Sequence, residues 1–239
     1  MIDDTIDSVP EADIADLRER LRSFRPVARI GRDGDHGVDG QWLSRVVRHW
    51  ERSYDWRARE ARLAAWPWVR SGTAVPIPAV RKPAGADRPV VLLLHGWPDS
   101  VLRFERVLPA LEECTVVAPA LPGFPFAAET TQGLSSLEIA DAVAAAMDDF
   151  GHARYVVSAG DVGCDVAEAL AARHPDAVRA LHLTDISQYH FLMDPPADLD
   201  DEEVAYAERG GGGRRPRAAT CMSSPRGRTP CRWRWETPR

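Results

Sequence analysis

Residues 155–170 read YVVSAGDVGCDVAEAL. Tyr155 to Ala159 suit a short buried strand, and Val162 onward places Val, Ala and Leu at helical spacing. Between them lies Ala159-Gly160-Asp161-Val162-Gly163, an acid on a tight strand-to-helix turn, framed by residues with almost no side chain. A turn with no task beyond reversing the chain is content with Asn or Gly. An ionised carboxylate at the tip of such a turn calls for another explanation.

The same grammar repeats around this stretch. RPVVLLLHGW (88–97), CTVVAPALPGF (114–124), RYVVSAG (154–160) and VRALHLTDIS (178–187) are apolar runs of strand length. Amphipathic segments over Ser136–Phe150 and Val162–Arg173 lie between them. Continuous apolar strands alternating with helices predict buried parallel strands in a right-handed α/β sheet. Ahead of them the spacing predicts helices over Glu11–Ser23, with Ile14, Leu17 and Leu21 on one face, and over Gln41–Glu51, with Leu43, Val46, Val47 and Trp50 at helical spacing. A third follows in YDWRAREARLAAW, with Trp56 and Leu63 inward. The prolines of SGTAVPIPAVRKPAG (71–85) limit that segment to a ragged edge strand or a loop.

Small-x-Asp-x-small between strand and helix fits a nucleophile elbow. The small residues let the backbone turn sharply. The turn exposes the central side chain and aims the Val162 N–H at the reacting atom, at a helix N-terminus that favours negative charge. Here the centre is Asp161. A carboxylate is ionised at neutral pH, needs no general base, and can attack an sp³ carbon to form an alkyl ester. The alternative at this turn is an Asp that caps the helix starting at Val162. A second motif favours the elbow. In LLLHGWPDS, His95, Gly96, Trp97 and Pro98 follow a strand directly, where α/β-hydrolases place the second oxyanion donor, and the Trp97 N–H is the candidate.

With these pieces the chain resembles epoxide hydrolases of the microsomal type. The matching segments are FRP (24–26), YDWRAREARL (54–63), LLLHGWPDS, VVAPALPGFPF (116–126) and AGDVG (159–163). The resemblance implies an N-terminal helical meander (1–72) ahead of a partial α/β-hydrolase core (73–208), with the lid domain and late strands missing. It implies that Asp161 opens the oxirane as nucleophile. The N–H groups of Trp97 and Val162 form the oxyanion hole, and His95, Gly96, Pro98, Gly160 and Gly163 support the motifs. Two lid tyrosines and a late His paired with an acid would complete the reaction. The implied substrates are an apolar epoxide and water, with no cofactor and no metal. Haloalkane dehalogenases share the Asp nucleophile but usually place Asn after His-Gly and Trp after the Asp. Trp97 and Val162 stand there instead, which argues against dehalogenation. A non-catalytic truncated hydrolase acting as a binding scaffold is the alternative function, with an esterase less favoured.

The remaining histidines and tyrosines do not fill the missing roles. His152 and His174 sit near helix ends, where surface or capping roles are ordinary. His182, inside a strand, reads as a satisfied core residue, and His190 lies on a loop. Tyr189 and Tyr206 are not credible as the lid pair.

The 239 residues are 44% hydrophobic, ordinary for a globular protein, with no apolar run of the ~20 residues a membrane span needs. The acidic start MIDDTIDSVPEADIADL is unlike a signal peptide. The four cysteines show no CxxC pairing and read as reduced thiols. A cytoplasmic protein is expected. The net charge of −6 hides an asymmetry, because residues 209–239 hold nine arginines, one acid (Glu236) and no Leu, Ile or Val. This Arg/Gly/Pro-rich tail predicts disorder. It could also suit RNA, yet no nucleic-acid partner is expected, because a different origin explains it. A GC-rich coding of ATCMSSPRGRTPCRWRWETP (219–238), shifted by one base, reads GYMHEQSTRPDTLPVALGDS. That resembles the family pattern GYxxxQxTxPQTLAxxLxDSP, and the Met and Trp codons, which leave no choice, fall in place. The expectation is a frame shift at or near RGGGGRRPR (209–217). Independent sequencing of the coding DNA across Glu208–Arg217 tests it, and an unbroken frame to Arg239 with no lid or His encoded downstream sinks it.

Overall fold

Alternation along each strand decides the layering. In the computed structural model, Leu92 and Leu94 face one side of the sheet and Leu93 the other, all three buried. The structure describes residues 2–3, 7–26, 38–85, 87–130, 133–185 and 198–205. They fall in two compact units, Met1–Ile186 and Ser187–Arg239. In the second, Asp200 Oδ1 caps the turn 201–205 by accepting the Glu202 and Glu203 N–H groups. Residues 206–239, with the proposed frame shift and Tyr206, lie outside the described residues, as do Tyr189 and His190.

The first unit runs β1 (Ile2–Asp3), α1 (Glu11–Arg22), α2 (Gly40–Arg52), α3 (Trp56–Ala64), β2 (Trp68–Arg70), β3 (Pro78–Lys82), β4 (Val90–Leu94), a 3-10 turn (Val101–Phe104) and α4 (Val107–Ala110). It continues with β5 (Thr115–Pro119), α5 (Ser136–Asp149), β6 (Tyr155–Gly160), α6 (Val162–Arg173) and β7 (Val178–Thr184). The sheet order is β1-β2-β3-β5-β4-β6-β7. β5, β4, β6 and β7 are mutually parallel, and β1, β2 and β3 extend the sheet antiparallel. Helices α5 and α6 cover the face of Leu92 and Leu94. The 3-10 turn and α4 bring Val101, Phe104 and Leu108 to the opposite face. Helix α5 starts on a full capping box, with Ser135 and Glu138 satisfying each other's backbone N–H.

Two expectations need correction. Residues 78–82 are an interior strand, paired with β2 and β5, rather than an edge or loop. Pro78 occupies the first position and Pro83 follows the last, so the strand interior has no proline. Second, His182 is exposed rather than a core residue. β7 is the last strand in the order among the described residues and most of its residues are exposed, and His182 Nδ1 lies 3.0 Å from Ser158 Oγ of β6. Helix α2 forms as expected, but none of its residues is buried. Leu43, Val46 and Trp50 are exposed.

The segment YDWRARE has a structural task. Arg57 donates to Val9 O at 2.9 Å and pairs with Glu11 at 2.8 Å. Glu60 accepts the Val9 N–H at 2.6 Å and the Ser8 hydroxyl at 3.1 Å. The two side chains staple the entry of α1 to α3.

Candidate active site

The centre of the sheet positions the site. β4 and β6 are neighbours, with Leu94 paired to Ala159. The loop that leaves β4 and the turn that leaves β6 therefore emerge side by side, at the carboxyl ends of the strands, where α/β sheets bind ligands. Two residues after Ala159 comes Asp161, and three after Leu94 comes Trp97.

Asp161 has φ 57° and ψ −131°. A non-glycine residue at that φ is strained, as an elbow requires. Its side chain makes no N-cap hydrogen bond into α6 beyond Val162. Instead Oδ1 accepts the Trp97 N–H at 2.7 Å. That bond, then one from the Val162 N–H, holds the Asp161 carboxyl below the usual carboxylate range, and the nearby charge of Arg103 acts in the same direction. The carboxylate is ionised and exposed.

The glycines are dictated by close approach. A Cβ on Gly96 would lie 2.9 Å from Asp161 Cγ and closer still to its Cβ. One on Gly163 would lie 2.6 Å from His95 O and 2.7 Å from Leu94 O. Helix α6 thus sits directly on the end of β4. A Cβ on Gly160 would lie 2.9 Å from Thr184 Oγ1 and 3.4 Å from Arg103 Nη1. The Trp97–Pro98 peptide is cis, the Trp97 side chain is 64% exposed and Val162 is half-buried.

His95 is fully buried, and that burial lowers its pKa, so the ring is neutral. Nε2 accepts the Leu121 N–H at 3.2 Å, which leaves Nδ1–H to face Gly96 O, also at 3.2 Å. Phe124 packs edge-on against the ring at 5.0 Å. His95 therefore ties the loop 95–100 to the loop after β5, and its ring is not directed at Asp161.

No histidine bonds to Asp161 among the described residues. His174 Nε2 does meet Asp141 Oδ1 at 2.9 Å, and Arg173 bonds the same carboxylate. That pair resembles a catalytic dyad but stands at the far end of α6, a 12-residue helix about 18 Å long. The bonds from Arg173 first, then His174, pull the Asp141 carboxyl down to about 2. Arg103 was not singled out by sequence. Its side chain reaches the elbow across the fold, and only its position eight residues after His95 hinted at this. Among the described residues no cluster of His, Cys, Asp and Glu could hold a metal, and no helix is long and apolar enough to cross a membrane.

The geometry has close counterparts. A family described as "Epoxide hydrolase N terminus" matches residues 4–104, and one described as "alpha/beta hydrolase fold" matches residues 89–230. The chain is 33% identical, over 82% of its length and 48% of the relative's, to a Stigmatella aurantiaca protein whose name assigns it provisionally to the epoxide hydrolases. It is 30% identical to the juvenile hormone epoxide hydrolase of Manduca sexta, over 71% of this chain and 40% of that one. The solved Aspergillus niger epoxide hydrolase superposes with a TM-score of 0.71 at 26% identity, covering 88% of this chain and 57% of that one. The chain thus spans about half the length of the curated relatives it matches. With an Asp-centred elbow on this sheet and the N-terminal segment ahead of it, the chain belongs to the α/β-hydrolase fold family, among the epoxide hydrolases that carry that N-terminus.

Proposed function

We propose that this chain carries the ester-forming half of epoxide hydrolysis. One observation carries the reading: the Asp161 carboxylate stands exposed on a strained elbow, held by the Trp97 N–H at 2.7 Å and by the Val162 N–H. An Asp161 oxygen attacks an oxirane carbon. The C–O bond breaks, and the ring oxygen takes a proton from solvent water to leave a hydroxyalkyl ester and hydroxide. When water attacks that ester at Cγ, negative charge develops on a carboxyl oxygen, where the same two N–H groups stand to stabilise it. His95, Gly96, Pro98, Gly160 and Gly163 set the two loops. The substrates are an apolar epoxide and water, and the setting is cytoplasmic.

No histidine among the described residues reaches Asp161, so the ester forms faster than it is hydrolysed and accumulates. Incubation with an aryl epoxide followed by intact-mass measurement and peptide mapping tests this. The expected result is one lasting adduct, equal to the mass of the epoxide, on Asp161 and absent from Asp161→Asn. Sustained diol production overturns the half-reaction. No adduct on a folded protein favours the second reading, a non-catalytic scaffold.

A further inference from the structure

The reaction just described asks nothing of Arg103, yet the fold brings it to the elbow. It stands on the 3-10 turn Val101–Phe104, with its side chain 35% exposed. Its Nε is 3.4 Å from Asp99 Oδ2. Its Nη1 lies against the backbone of the elbow, 3.4 Å from where a Cβ on Gly160 would sit. Gly160 immediately precedes Asp161. The guanidinium thus bridges the loop that supplies the Trp97 N–H and the turn that supplies the carboxylate.

We propose that Arg103 is a positioning residue for Asp161: anchored by Asp99, it fixes a positive charge beside the carboxylate and steadies the two loops that aim it. This rests on the reading of Asp161 as the nucleophile. A guanidinium, always charged and with several donors in a fixed fork, suits a place between Asp99 and the elbow better than a flexible ammonium.

The surroundings explain why a cation is useful. The titratable and charged groups around Asp161 are His95 and Asp99 from the loop after β4, Arg103 from the 3-10 turn, Cys164 and Asp165 from the first turn of α6, and Asp185 after β7. His95 is kept neutral by burial. Burial first, then the charges of Glu168, Asp165 and Asp185, push the Cys164 thiol upward. Among these groups Arg103 supplies the positive charge, and its field favours the ionised Asp161. Part of that field is screened by solvent and by Asp99.

The test reads the ionisation of Asp161 directly, without turnover. Aspartate is isotopically labelled at Cγ in the full chain, and Asp161→Asn assigns the signal. The Asp161 titration is then followed by NMR in wild type, Arg103→Gln, Arg103→Met and Arg103→Lys. The neutral variants are expected to raise the midpoint by about half a pH unit or more, and Arg103→Lys to restore at least part of the difference. A midpoint unmoved in either neutral variant that keeps its circular dichroism spectrum overturns the proposal, as does a lysine variant that behaves like glutamine. Each neutral variant serves if the other fails to fold. The acid limb of adduct formation with an aryl epoxide follows the same shift. Wild type forming no adduct overturns the nucleophile reading and leaves the titration result intact, so the two failures are distinguishable.

Discussion

Asp161 and the glycines around it work as one unit at the scale of single residues. Asp161 takes a strained backbone so that its carboxylate meets two N–H groups instead of capping its own helix. Gly163 lets α6 rest on the end of β4, and that contact sets where the Val162 N–H points. Gly163→Ala drives a methyl into the carbonyls of Leu94 and His95, which are backbone and cannot swing aside. It is expected to lower stability by about 1–3 kcal/mol, read by urea denaturation, and to slow adduct formation beyond what the stability loss explains. The spacing of small residues around Asp161 was legible in the sequence because close approach leaves only Gly or Ala. The ring of His95 was legible only as part of a motif. That it binds the loop after β5 depends on two strands meeting in space, which spacing does not encode.

Elements show where side chains hold the N-terminal region. Arg57 and Glu60 on α3 staple the chain ahead of α1. The Val9 N–H first, then Arg57, hold the Glu60 carboxyl down at about 2, against an ordinary 4.5. A depressed carboxylate contributes stability that is full above its unfolded value and is lost as pH falls through its folded value. The staple is therefore intact above about pH 4.5 and opens toward pH 2. Amide hydrogen exchange at Val9 is expected to report this, after correction for the intrinsic rate. Protection falls across that window in wild type. In Glu60→Gln it is weaker at neutral pH and nearly independent of pH, whereas equal protection in both proteins removes the staple. Helices α1, α2, α3, α5 and α6 were legible from apolar spacing. β2 was not, being three residues between tryptophan-rich neighbours, and the prolines around β3 obscured a strand that keeps them at its ends.

The whole molecule turns on β7. Among the described residues it closes the sheet order on one side, and most of its residues are exposed, including Leu181 at 38% and His182. An edge strand with an exposed apolar residue is a template for association. Sedimentation velocity over a concentration series is expected to show wild type associating. Leu181→Lys, which places a charge on that edge, should shift it towards monomer. A monomer at every concentration in wild type rules out β7 as a sticky edge.

What the sequence by itself determined is local. Apolar runs of strand length, helical periodicity and an acid between small residues follow from backbone sterics and side-chain size, and both are written into neighbouring residues. They were enough for the α/β class, the parallel orientation of β4 to β7 and the strand-to-helix turn that carries Asp161. What only the tertiary structure decided is non-local. β4 and β6 pair in a register that sets Trp97 beside Asp161, His95 turns away to a third loop, and Arg103 reaches Gly160 from another element. Those contacts join residues far apart in the chain. Their geometry comes from how strands twist and pack, and no single stretch of sequence contains it.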